Sequence, residues 1–297
     1  MTKPGRSESV VIQCFYSDNA VPAWIQRCID SVRRWAELRG HDYLLAGVEF
    51  VELCGPEYLA RGNKNPQAIT NLARLVATRK HLDAGYQRVI WMDADVFVFD
   101  PVRLVLDFPD QKLSTGYAFG REVWVYQDFD GALHARPPDA HNAATYFTCA
   151  AVDLDVLISL IRHIDASRKL VSNYQIGTRL LHGLHYSLMF PTFTHVAMFA
   201  PALVQALAEH DEKVLRFYSD IYRYQSCAAN LCQYALPEDT LWRAMDHLEE
   251  SAGDVINQYA SRPGMHLVPY EDTERPLISE MPKTGLRARL RSLATNR

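Results

Sequence analysis

Residues 88–101, RVIWMDADVFVFDP, set two aspartates inside a run of β-branched, aromatic and other apolar residues. A run that is apolar at both odd and even positions suits a strand covered on both faces, as in the centre of a helix-flanked sheet. If the segment stays extended, Asp93 and Asp95 point the same way, because residues two apart share a face. Two unpaired carboxylates buried together are costly and repel each other. A bound hard cation relieves both problems and accepts further oxygens from a diphosphate. The structural alternative is that the pair ends the strand, caps a turn or meets arginines, since a bare DxD is a weak motif. The apolar run before it places the pair at the carboxyl end of its strand, where α/β sheets bind ligands.

The segments before this run fit the same architecture. Val10 to Tyr16 (VVIQCFY) reads as a buried strand, followed by a polar turn at Ser17, Asp18 and Asn19. Ile25, Cys28, Ile29, Val32 and Trp35 recur at helical spacing, Gly40 stops that helix, and Asp42 to Ala46 reads as a second strand. After RGNKNP (61–66), Leu72, Leu75, Val76 and Leu82 line a further helix that ends at Gly85. Strand, helix, strand, helix, strand predicts an α/β fold with a mostly parallel central sheet flanked by helices. The C-terminal half is less regular. Asn142 to Val152 reads as a strand feeding a helix at 154–161, a helix is expected around Tyr174 to Leu181, and Gly131 to Pro138 reads as a loop. No linker or repeat divides the chain, so residues 8–270 are expected to form one domain and 271–297 a C-terminal extension.

Composition narrows the function classes. With 31 Lys plus Arg against 35 Asp plus Glu, the net charge of −4 argues against bulk nucleic-acid binding. A hydrophobic fraction of 48% supplies a large core, excluding a disordered chain. No apolar run reaches the roughly 18 residues of a membrane span, and Met1 to Val10 lack a secretion signal's apolar stretch. The six cysteines form no CxxC pair, and reduced thiols in a cytoplasmic protein are expected. The basic tail from Lys283 to Arg297 spaces Leu286, Leu290 and Leu293 helically, which allows weak peripheral contact with an anionic membrane but suits a soluble tail better.

Three of these segments, VVIQCFYSDNA (10–20), NLARLVATRKHLDAGY (71–86) and VIWMDADVFVFDP (89–101), together resemble the nucleotide-sugar-dependent glycosyltransferases of the GT-A fold. The resemblance covers roughly the first half of the chain. It implies that Asp93 and Asp95 hold Mn²⁺ or Mg²⁺ against the diphosphate of a UDP- or GDP-sugar. It also implies that Phe15, Tyr16, Ser17 and Asp18 lie near the base or ribose, and that Arg74 faces donor phosphate or sugar. On the residues alone, Phe15 and Tyr16 fit sheet packing equally well, and Arg74 fits a solvent-exposed or locally paired arginine. Lys64 is a weaker phosphate candidate.

The resemblance further implies a third metal ligand from the C-terminal part, with His266 placed ahead of His195 and His182. Each also fits a packed histidine. HNAATYF (141–147) is similar to the segment that lies beside donor sugar and acceptor in such enzymes, so Asn142 is a candidate for a sugar hydroxyl, with a turn residue as its alternative. Asn230 and Gln233 fit either the acceptor side or a helix surface. The expected reaction is hexose transfer, UDP-sugars favoured as donors, to a hydroxyl of a glycan, glycolipid or small metabolite. Retention is favoured over inversion, and Asp128, Asp130, Glu209, Asp220 and Glu238 are all possible bases. A sugar nucleotidyltransferase is a rival, but SDNAVPAW (17–24) lacks the glycine-rich basic loop it needs. A non-catalytic nucleotide- or carbohydrate-binding protein is another, though it has no need of two converging carboxylates.

Overall fold

The computed structural model describes residues 7–15, 20–60, 66–167, 176–231 and 236–270. Tyr16, Ser17, Asp18, Lys64, Gln233 and the basic tail lie outside them.

Three parallel strands open the fold: β1 (Ser9–Cys14), β2 (Asp42–Ala46) and β3 (Arg88–Met92), with β1 between the other two. Helix α1 (Ala23–Leu38) joins β1 to β2, and α4 (Pro66–Asp83) leads into β3 after two short helices, α2 (Glu49–Glu52) and α3 (Pro56–Ala60). The left-handed φ of +69° at Gly40 and +100° at Gly85 ends α1 and α4 where the sequence places the stops.

The sheet continues through β8 (Asp139–Thr148), β5 (Tyr117–Glu122), β9 (Thr192–Met198), β10 (Ala228–Asn230) and β4 (Val96–Val98). Six of these eight strands point one way, whereas β8 and β4 run against them. A short β11 (Leu267–Val268) pairs with the first residues of β9. The fold is α/β, as expected.

Alternation explains the apolar runs. Val10, Ile12, Val89, Trp91, Phe119 and Phe147 belong to one apolar cluster with Leu72 and Leu75 of α4. Val11, Ile90, Met92, Ala118 and Tyr146 point to the opposite face, against Val32 and Trp35 of α1. The C-terminal half adds α5 (Leu154–Ser167), α6 (Thr178–Leu188), α7 (Pro201–Glu209), α8 (Glu212–Tyr222), α9 (Glu238–Glu250) and α10 (Asp254–Asn257). Among the described residues no helix is long and apolar enough to cross a membrane.

Several local expectations change. Residues 131–138 are not simply a loop, because β7 (Leu133–Ala135) pairs with β6 (Val125–Gln127) in a hairpin. Asp128 closes it by accepting the N–H groups of Asp130 and Ala132. Ala228 to Asn230 form a strand rather than a helix face.

The largest change concerns the acidic pair, where β3 stops at Met92. The Val96 N–H donates to the Asp93 carbonyl at 3.0 Å, making a tight turn of Asp93-Ala94-Asp95. The chain re-enters the sheet as β4 beside β10, five steps along the strand order from β3. In a flat sheet that is roughly 24 Å, yet four residues reach at most about 14 Å. The sheet therefore curls until its β4 end comes back toward β3 across the acid turn.

Candidate functional site

The acid turn sits at the carboxyl end of β3, and its two aspartates take separate partners. Asp93 keeps the side of the sheet to which Trp91 points. Its Oδ1 accepts the Trp91 indole N–H at 2.6 Å and lies 3.1 Å from Nη2 of Arg74. Asp95 turns toward the other end of the sheet, where its Oδ1 accepts from Nδ2 of Asn230 at 2.5 Å. Its carbonyl accepts the Leu231 N–H at 3.1 Å. The same-face expectation for the two side chains therefore gives way to a turn, because the Asp93–Val96 hydrogen bond ends the extended geometry between them.

Arg74 is placed by α4, which packs against β3. The residue is only 5% exposed, and its guanidinium lies 5.2 Å over the Trp91 ring and donates to the Asn142 carbonyl as well as pairing with Asp93. The solvent-exposed alternative for this residue is thereby removed. Asn142 lies within β8 rather than in a turn before it, and its amide donates to Oδ1 of Asn71 at 3.0 Å. Gly177 makes room for that pair, since a Cβ there would lie 2.5 Å from Nδ2 of Asn71.

Gln13, near the carboxyl end of β1, is fully buried. Its Nε2 donates to the Asp93 carbonyl at 3.1 Å and its Oε1 accepts from the Tyr43 hydroxyl at 2.8 Å. Together with the Asp93 N–H donating to the Ala143 carbonyl at 2.7 Å, this fixes the turn's entry from both neighbouring strands. Gln13, Asn71 and the Trp91 indole are site residues that sequence reasoning missed. The one available signal was a glutamine in an otherwise apolar strand, which a buried position tolerates only when it is hydrogen-bonded. Phe15 follows β1 at this edge and is partly buried against the apolar cluster that contains Trp24 and Phe97.

Burial raises the Asp93 carboxyl above the usual carboxylate range, while the Arg74 guanidinium and the Trp91 N–H pull it back. The nearby Cys14 thiol is pushed up to about 12 by burial, with the charges of Glu49 and Asp93 adding to the effect. A neutral thiol at this edge is a poor nucleophile.

The histidines fall elsewhere. The His266 N–H and carbonyl bond to Thr194, its Nε2 is 3.2 Å from the Pro263 carbonyl, and its ring lies against Tyr224. Thr194 is four residues before Met198, the residue of β9 that pairs with Asn230. That is roughly 13 Å along the strand from the level of Asp95. The pairing of β11 with the first half of β9 therefore keeps His266 away from Asp93 and Asp95, contrary to the expectation of a shared metal site. His195 is buried with its ring edge-on to Phe108, and burial holds its imidazole down to about 3. His182 faces Glu122 and Asp139 at 3.1 and 3.5 Å. Among the described residues no three His, Cys, Asp or Glu side chains gather into a group able to hold a metal.

A Mg²⁺- or Mn²⁺-sized cation nevertheless fits the acid turn. Such ions take one or two carboxylates and complete their shell with phosphate oxygens and water. The two contacts Asp93 makes among the described side chains both fall on Oδ1, and burial raises its carboxyl despite the Arg74 charge, so a cation on the turn would favour its ionised form. The space enclosed beside Arg74 and Asn142 is about 40 Å³, room for a water but not a nucleotide.

No protein-family model matches the chain, and no curated protein matches it. Among solved structures it is similar to a glycosyltransferase involved in the glycosylation of the major capsid of PBCV-1, with a TM-score of 0.41 and 12% identity over 81% of this chain and 98% of that one. It is also similar to a protein described as a nucleotide-diphospho-sugar transferase from Desulfovibrio desulfuricans G20. There the TM-score is 0.32 and the identity 15%, over 85% of this chain and 98% of that one.

Proposed function

We propose that the chain transfers a hexose from a nucleoside-diphosphate sugar, a UDP-sugar in the favoured case, to an acceptor hydroxyl on a glycan, glycolipid or small metabolite. The observation that carries this reading is the meeting of Asp93, Arg74 and Asn142 at the carboxyl end of β3, with Asp95 two residues further along the same turn and held by Asn230. Asp93 and Asp95 are the residues that would hold Mn²⁺ or Mg²⁺, which when bound neutralises the departing diphosphate. Arg74 supplies a fixed positive charge one side chain away, in a fork that suits phosphate oxygens. Asn142, on the neighbouring strand, is the candidate for orienting the donor sugar. Phe15 marks the end of β1 where the base would lie, beside the Tyr16, Ser17 and Asp18 positions. Retention is the favoured course, on the resemblance of the Asn142 segment. Of the bases considered, Asp128 is tied into its hairpin turn and to His134.

The test is a donor screen by mass spectrometry, with UDP- and GDP-sugars and Mn²⁺, following sugar loss and product mass. Saturable turnover is expected, with a drop of about 100-fold or more in Asp95→Ala. A correctly folded protein that turns over no sugar nucleotide, with or without metal, would reject the reading.

A further inference from the structure

His210 and His247 meet where the end of α7 lies against α9, outside the acid turn. Their Nε2 atoms are 3.0 Å apart, their ring centroids 3.8 Å apart, and their planes inclined by 39°. His210 follows α7 with a left-handed φ of 57°, a conformation uncommon for a residue with a side chain. That conformation ends the helix and accompanies the approach of the ring to α9.

The His247 ring is held by its other nitrogen. Nδ1 lies 2.8 Å from the Leu207 carbonyl, and a carbonyl only accepts, so Nδ1 carries the hydrogen. In the neutral ring Nε2 then carries the in-plane lone pair, 3.0 Å from Nε2 of His210. An imidazole anchored through one nitrogen to a backbone carbonyl, with the other presented outward, is the arrangement that orients histidine ligands in metal sites. Glu250, exposed and three residues beyond His247, lies on the same side of α9. It shares a shallow depression with both histidines and Asp254.

We propose that His210 and His247 form a seat for a transition-metal dication of the zinc class, with Glu250 swinging in and water filling the remaining positions. Two Zn–N bonds of about 2.05 Å spanning 3.0 Å subtend about 94°, and a separation of about 3.3 Å gives the tetrahedral angle. Reaching it requires the rings to spread from their present stacking, a rotation about the soft χ2 torsion of the exposed His210. Imidazole nitrogens favour Zn²⁺, Ni²⁺ and Cu²⁺, whereas carboxylates and phosphate oxygens favour Mg²⁺ and Mn²⁺. The two positions on this chain therefore differ in metal chemistry, and this one would cross-link α7 to α9.

Calorimetric titration of the EDTA-treated, dialysed full chain with Zn²⁺ alone tests the seat without any nucleotide. One equivalent is expected to bind, with a rise in Tm, and Co²⁺ at the same place should give a visible absorption band. His210→Asn keeps a residue that tolerates the left-handed backbone, and His247→Gln keeps a donor for the Leu207 carbonyl. Either change should weaken Zn²⁺ by about tenfold or more, and the pair should abolish the site, while Tm without metal stays near that of the parent. No one-to-one binding to the parent chain, or equal affinity in the double variant, overturns the proposal and leaves the rings as a hydrogen-bonded contact. Either result stands apart from sugar-nucleotide turnover, which this position does not serve.

Discussion

At the scale of single residues, Arg74 ties the candidate chemistry to the stability of the fold. It is a buried cation whose neighbours include one candidate metal ligand, Asp93, and the carbonyl of another site residue, Asn142. Among the described residues its Nε has no hydrogen-bond partner, although it is buried. Arg74→Gln should therefore act twice. Removing one partner of a buried pair leaves Asp93 without its counter-charge, at a cost of about 3 kcal/mol in urea unfolding. In steady-state kinetics the donor KM should rise by about tenfold or more, with the acceptor KM unchanged. Arg74→Lys restores charge without the planar fork, so it should recover more stability than donor affinity. Equal losses of donor and acceptor affinity would return Arg74 to a structural role. The two aspartates were legible in the sequence because acidic residues in an apolar run stand out. Their partners were not: Trp91, Asn71 and Gln13 are ordinary strand and helix residues until tertiary packing points them at the turn.

At the scale of elements, strands and helices with a full period were readable and those without one were not. β2 runs from Asp42 to Ala46, as its apolar run indicated, and α1 buries the stripe from Ile25 to Trp35. The acid turn escaped notice because apolar β-formers continue on both sides of it, with no glycine, proline or asparagine to mark a break. The three-residue strands β6, β7, β10 and β4 are too short for alternation to show. Register hid another feature, a bulge between Phe119 and Gly120 where β5 pairs with β8. Opposite Gly120 stands His141, whose Nε2 is 3.1 Å from the Val196 carbonyl and whose Nδ1 accepts the Ala143 N–H at 3.2 Å. A Cβ at position 120 would come within 2.2 Å of that ring. Gly120→Ala should therefore cost about 2–3 kcal/mol by equilibrium unfolding. Adding His141→Ala should make the combined loss smaller than the sum of the two single losses. Strict additivity would show that the two positions do not share this space.

At the scale of the whole molecule, three imidazoles among the described residues are held neutral by their surroundings. Burial keeps His141 and His41 down to about 4 and His195 down to about 3, with Arg88 and Arg39 adding to the effect at His41. The unfolded chain takes up these protons near 6.5. Between 6.5 and the folded values the unfolded state binds more protons, so stability is fully present above 6.5 and is lost as the pH falls. The loss is of order 3 kcal/mol for a fully buried ring taken to pH 4. Urea unfolding at pH 7.5, 5.5 and 4.5 should show the decline, and His195→Phe, filling the ring's place beside Phe108, should make it shallower. A flat profile would mean that these rings accept protons without opening the fold. The curl of the sheet carries a different consequence, one of timing. Val98 of β4 pairs with Ala228 of β10, 130 positions later in the chain. Closure over so long a loop comes late in folding. A nascent chain whose first 200 residues have left the ribosome already carries Asp93, Asp95 and all of α1, yet it lacks Asn230 and the strand against which β4 must close. The acidic turn thus acquires its final shape only after most of the protein has been synthesised, and its assembly marks completion of the fold rather than its beginning.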